Sequence, residues 1–166
     1  PNVSHRFGYT DKGVNLANFY PIACVYDENG WSKNPYHFNG DPFYSDMANY
    51  YVNFTCSSDF IGAFTGGVEE VVDGNTKYYT INSLCIREFS AMLSKNFKTI
   101  TKNNGDVKYT YYYLNDDTPE KALQCAIDSI NTFSDLFYPY PYNYYNVVQA
   151  SFLYGGMEYP MLSLIS

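Results

Sequence analysis

Apolar and polar residues alternate strictly over positions 47–56. Ala48, Tyr50, Val52, Phe54 and Cys56 fall on one face, and Met47, Asn49, Tyr51, Asn53 and Thr55 on the other. A period of two marks a half-buried strand. Shorter apolar runs at 3–9, 22–26 and 60–64 read as further strands, the second of them compact and buried, the last ended by Gly66-Gly67. Two hairpins are predicted from their turns: Asp73-Gly74-Asn75 joins 68–72 to 77–81, and Asn103-Asn104-Gly105-Asp106 joins 97–102 to 107–113. One strand is expected over 84–93, with Arg87 and Glu88 in its middle. In 107–113, Val107, Tyr109, Tyr111 and Tyr113 share a face. Residues 1–114 therefore predict a mainly β unit, an antiparallel sandwich or curved sheet.

Near Asn115 the period changes. Thr118-Pro119-Glu120 is a helix start, with Thr118 as N-cap and Pro119 at the first helical position. Leu123, Ala126, Ile127, Ile130, Phe133 and Phe137 then recur at three- and four-residue spacing, and the helix stops before Pro139. Residues 138–142 (Tyr-Pro-Tyr-Pro-Tyr) form an extended linker. A strand over 144–150, a Gly155-Gly156 turn and an apolar strand over 161–165 complete the chain. The expected division is a β-rich unit at 1–114 and a second unit at 115–166, too small to close a core alone. An apolar strand needs a sheet neighbour and a covered face. With its apolar end, and with Pro rather than Met first, the chain reads as an excised or processed piece of a longer protein.

Composition supports the β reading: 20 Tyr and 12 Phe in 166 residues favour strands. Seventeen acids against ten bases give a formal charge of −7, which argues against a nucleic-acid surface or an anionic membrane as partner. No apolar run reaches the length of a membrane span. Cytoplasmic and exported locations both stay open. Cys24, Cys56, Cys85 and Cys125 form no C-x-x-C pair, so they read as buried free thiols, with disulfides the alternative. The loop at 31–45 is long enough to be functional, or it is a surface loop pinned by Trp31, Tyr36 and Phe43. Asn2-Val3-Ser4 and Asn53-Phe54-Thr55 match the glycosylation sequon and receive no role.

Self-contained catalytic chemistry is hard to find. The only histidines are His5 and His37, and there is no H-E-x-x-H, phosphate-binding loop or dinucleotide fingerprint. Gly155-Gly156-Met157-Glu158 is the informative stretch. Paired glycines let a ligand approach the backbone, and the glutamate adds a full negative charge. Together they suit a peptide, with backbone bonds to its main chain and the carboxylate on its terminal ammonium. The plain alternative is a glycine turn beside a surface glutamate.

Gly155-Gly156-Met157-Glu158-Tyr159-Pro160 resembles the G-x-M-E-N motif of the M1 (gluzincin) zinc aminopeptidases, in a form seen in bacterial members. Tyr20-Pro21 and Val25 through Trp31, then Asp41 through Asp46, resemble the N-terminal domain of that family. Arg87-Glu88-Phe89-Ser90 resembles a late strand of that domain, and 119–142 the opening helix and linker of the catalytic domain. The resemblance implies a saddle-like β-sandwich followed by the first helix and strands of a thermolysin-like α+β domain. It puts the substrate-amine contact on Glu158, with Gly155, Gly156 and Met157 as a backbone shelf on an edge strand. Asp41 aligns with a second amine anchor of the family, or is a turn residue. Tyr159 replaces the Asn of the commonest form. The implied parent is a zinc metallopeptidase, a hydrolase that removes N-terminal residues from peptides. The implied partners of this chain are peptide N-termini and the remainder of the catalytic domain. No catalytic residue or metal ligand is assigned in this chain. Zinc is expected in the full-length parent, and the chain alone is expected to be inactive. A non-catalytic β-sandwich binding or scaffold module is the competing expectation.

Overall fold

The computed structural model describes residues 6–33, 35, 44–150 and 155–166. The strands are β1 (Phe7–Tyr9), β2 (Val14–Ala17), β3 (Tyr26–Asp27), β4 (Gly30–Trp31), β5 (Ala48–Ser57), β6 (Ile61–Phe64) and β7 (Val68–Asp73). They continue with β8 (Thr76–Ile86), β9 (Ser90–Ser94), β10 (Lys98–Asn104) and β11 (Val107–Tyr113). Helix α1 (Pro119–Leu136) precedes β12 (Tyr144–Gln149), β13 (Gly156–Tyr159) and β14 (Leu162–Ile165). The protein is mainly β.

Three sheets and the helix stack in layers. The sheet β5-β8-β7 packs through Phe54, Tyr79 and Ile81 on Phe64, Ala91 and Leu93 of a second sheet, β1-β2-β9-β6. The other face of that second sheet, carrying Ala17, Ala63 and Met92, packs on Tyr112, Val148, Leu162 and Leu164 of the sheet β10-β11-β12-β14-β13. Helix α1 covers the far face of that last sheet, with Leu123 and Ile127 against Tyr109, Tyr111 and Val147. This explains β9, whose five residues are all buried. A strand covered on both faces reads as a continuous small-and-apolar run rather than an alternation.

Where one face meets water, the alternation predicts the structure well. In β5, Tyr50, Val52, Phe54 and Cys56 are half-buried and the residues between them exposed. Both predicted hairpins form. The single strand expected over 84–93 does not. β8 ends at Ile86, and the chain passes through Arg87, Glu88 and Phe89 before entering a different sheet as β9. The change of sheet begins with a bulge, where Asn49 of β5 opposes both Leu84 and Cys85. One extra residue shifts the alternation, and it takes the left-handed conformation, with Cys85 at φ 55°. The Cys85 N–H donates to Asn49 Oδ1 at 3.0 Å. At the corner, the Tyr20 hydroxyl accepts from the Phe89 N–H, and Arg87 Nη1 donates to the Ser45 carbonyl.

Residues 22–25 form no strand either. Of them only Val25 is buried, and the strand there is the short β3, paired with β4 across a Glu28-Asn29 turn. The cysteines are free, as expected, but not buried: Cys24, Cys85 and Cys125 are exposed and Cys56 is half-buried. Helix α1 starts where the sequence indicates, yet the Thr118 hydroxyl makes no capping bond. Instead Asp116 Oδ1 accepts from the Thr118 N–H at 2.8 Å. The apolar stripe of α1 outruns its sheet, leaving Phe133 and Phe137 exposed.

The predicted division at Asn115 falls between two elements of one layer pair. β11 lies hydrogen-bonded to β10 on one side and, in parallel, to β12 on the other, so one sheet continues across that residue. A strand-helix-strand crossover through α1 accounts for this, since parallel neighbours need such a connection. The apolar end likewise finds its partners within the chain. β14 is flanked by β12 in parallel and β13 in antiparallel, with Leu162 and Leu164 buried.

Candidate functional site

The sequence places a turn at Gly155-Gly156; in the structure the chain bends at Gly155 and the strand begins at Gly156. Gly156 opens β13, and the turn lies four residues later, at Pro160-Met161, between Tyr159 and Leu162. Proline fixes its own φ near −65°, and Met161 follows at φ 57°. That combination is a type II turn, in which the second central residue must take a positive φ. Met161 tolerates it because its side chain is buried among Phe64, Tyr79 and Ile81, while its carbonyl accepts from the Asn146 N–H at 2.8 Å.

β13 is the edge of its sheet. Its register sets which backbone groups remain open. The Ser166 N–H donates to the Gly155 carbonyl at 3.3 Å, so the 155/166 rung carries hydrogen bonds. In an antiparallel ladder such rungs alternate. Met157/Leu164 and Tyr159/Leu162 are therefore bonded rungs, and Gly156/Ile165 and Glu158/Ser163 are not. The N–H and C=O groups of Gly156 and Glu158 consequently point away from β14, along the open edge.

Side chains divide the same way. Met157 and Tyr159 point into the core between the two larger sheets. Glu158 lies on the opposite, helix-side face, exposed and without a hydrogen-bond or ion-pair partner among the described residues. It stands across from Ser163, whose hydroxyl bonds the Tyr145 hydroxyl at 2.6 Å. Helix α1 covers the β10 and β11 end of this face, away from Glu158. A Cβ on Gly156 would lie 3.3 Å from the Leu164 carbonyl oxygen, whereas one on Gly155 would meet nothing among the described residues. Packing accounts for the first glycine only weakly, and for the second not at all.

In fold, the chain is similar to part of an M1 zinc metallopeptidase. The solved structure is a mutant of a two-domain M1 zinc metallopeptidase bound to L-arginine, matched with a TM-score of 0.59 at 17% identity. The match covers 72% of this chain and 30% of that one, so the chain spans less than a third of its structural relative. At this identity the likeness is one of fold. No protein-family model matches the chain, and no curated protein matches it in sequence.

Against that fold, the predicted site residues separate. Gly155, Gly156, Met157 and Glu158 lie together on or beside the edge strand, with Met157 turned inward. Asp41 lies outside the described residues. No three His, Cys, Asp or Glu side chains converge on a common point among the described residues. No helix among them is long and apolar enough to cross a membrane.

The motif strand also has a buried underside that the sequence reading missed. Tyr159 is 3% exposed and Ser90, on β9, is fully buried. Neither hydroxyl has a hydrogen-bond partner among the described residues. Burial pushes the Tyr159 hydroxyl up to about 12, against the opposing pull of Arg6, with a further upward contribution from Glu88. Glu88 Oε2 accepts from Asn18 Nδ2 at 2.8 Å. Arg6 Nη1 reaches the Met157 sulfur at 3.2 Å. The only hint in the sequence was Tyr159 itself, which stands where the resembling motif commonly has Asn.

Proposed function

We propose that β13 is the substrate shelf of an M1-like zinc aminopeptidase, and that this chain supplies recognition of the peptide N-terminus. The carrying observation is an edge that no other described strand covers, where the outward backbone groups of Gly156 and Glu158 lie beside an exposed carboxylate without a partner among the described residues. An extended peptide adds to such an edge as a further strand. Its terminal ammonium then pairs with Glu158, a charge-assisted contact stronger than a neutral hydrogen bond. Gly155 and Gly156 carry no side chain that would hold the guest away. The L-arginine in the structural relative, an amino acid with a free α-amine, is in keeping with this reading.

The described residues gather no metal-binding cluster, so no step through zinc is derived for them. Hydrolysis, and the zinc it needs, belong in this reading to a longer protein that carries this chain, with the rest of its catalytic domain as partner. The unit boundary is read with the sheet: β10 and β11 join the part that carries β13, and the β-rich unit before them ends near Phe97.

The test is binding of a short peptide to the chain, followed by amide chemical shifts. A tripeptide with a free N-terminus should shift the Gly156 and Glu158 amides, and its N-acetylated form should not. Equal binding of both forms would sink the amine assignment. In the longer protein, Glu158→Ala should lower kcat/KM for N-terminal cleavage.

A further inference from the structure

The face of β13 that points away from Glu158 rests on the first-unit sheet, and two strand edges meet there. β1 is one edge of the sheet β1-β2-β9-β6, and β13 is one edge of the sheet stacked on it. Arg6 directly precedes β1, and its carbonyl accepts from the Ala17 N–H at 3.2 Å, which ties it to β2. Its guanidinium reaches across the layer to the Met157 sulfur at 3.2 Å. Two residues along β13, the Tyr159 ring is buried in the same inter-sheet core that Met157 packs against.

Met157 and Tyr159 are also the two β13 residues on hydrogen-bonded rungs with β14. They carry the strand's inward side, while Gly156 and Glu158, between and beside them, carry its outward side. Any tilt of Met157 or Tyr159 rotates Gly156 and Glu158 with it, because successive residues of a strand share one pleat. A strand bonded on one side only, and short, would otherwise fray.

We propose that Arg6 is a positioning residue of the amine shelf, holding β13 from behind so that its outer edge keeps the geometry a peptide requires. Arg6 does this through Met157 rather than by touching substrate. The proposal rests on the reading of β13 as an amine shelf.

The experiment compares the wild-type chain with Arg6→Met and Arg6→Lys by amide hydrogen exchange, with no ligand present. Exchange protection at Met157 and Tyr159 should fall about tenfold in Arg6→Met. Protection at Tyr79 and Val148, in the core, should stay within about twofold of wild type. Arg6→Lys, which keeps the cation, should recover part of the loss. Affinity for a free-amine tripeptide should fall about tenfold in Arg6→Met. Unchanged protection in β13, or an equal loss at Tyr79 and Val148, would overturn the proposal. If the wild type fails to distinguish free from acetylated peptide, the shelf reading is wrong and the positioning role falls with it. That outcome is separable, since the exchange pattern is read without peptide.

Discussion

Removing the Asn146 amide should loosen the joint between the two larger sheets. Asn146 lies on β12, 5% exposed, and its Nδ2 donates to the carbonyls of Phe64 at 2.8 Å and Gly66 at 2.9 Å. These are the end of β6 and the glycine that follows, so one side chain bridges the sheets. Asn146→Leu keeps a similar shape but deletes both donors, and two buried carbonyls lose a partner. An unsatisfied buried polar group costs about 1–3 kcal/mol. Part of the loss is offset, because leucine is more easily buried than an amide. The expected net loss is about 2–4 kcal/mol, a large share of the roughly 5–15 kcal/mol that stabilises a typical domain. Asn146→Asp should be worse at neutral pH, since it aims a carboxylate at two carbonyl oxygens. Its folded-state pKa would be raised above the unfolded value, so the variant should be most stable in acid and lose stability as pH rises through the folded pKa. Urea unfolding followed by circular dichroism gives both numbers. A leucine variant within about 0.5 kcal/mol of wild type would show that the bridge contributes nothing net, and the reasoning would fail.

Glu158→Gln should leave the urea midpoint unchanged, because the carboxylate is exposed and unpartnered among the described residues, while weakening free-amine peptide binding about tenfold or more by titration calorimetry. Cys85→Gly should stabilise the fold by about 1 kcal/mol in thermal melts, since an exposed non-glycine residue at φ 55° is relieved of left-handed strain. Alkaline pH should unfold the protein in a defined window. Tyr112 and Tyr159 are pushed up to about 12 by burial, above the value near 10 of an unfolded tyrosine. Their stabilising effect is complete below pH about 10 and is lost as pH rises through about 12. Absorbance of ionised tyrosine should show these two titrating only with unfolding, and free titration in the folded state would contradict their burial.

Strands with one face in water were legible in the sequence, because the alternation of β5 and the turn glycines are local signals. The corner at Arg87 to Phe89 was not. The sequence reads 84–93 as one apolar strand, and the change of sheet depends on the bulge at Cys85 and on bonds from Tyr20, Tyr50 and Ser45, all distant in sequence. The site was half legible. Its residue types were plain, since Gly155, Gly156 and Glu158 are unusual together. The bend falls at Gly155 and the strand already begins at Gly156, whereas the turn at Pro160-Met161 went unread, because a non-glycine residue at positive φ is stabilised by tertiary burial that sequence patterns do not announce.

The sequence by itself determined the periodic elements, the helix start at Pro119, and the residue types of the Gly155-Gly156-Met157-Glu158 motif. Those follow from propensity, period and side-chain type, each set within a few residues. Only the tertiary structure decided that one sheet runs across Asn115, that β14 has a neighbour on each side, and that β13 is the exposed edge. Strand order joins residues far apart in the chain, and its free energy comes from burial between layers. Which edge of Gly156 and Glu158 stays open to a guest is settled there, by the alternate rungs that β14 fills.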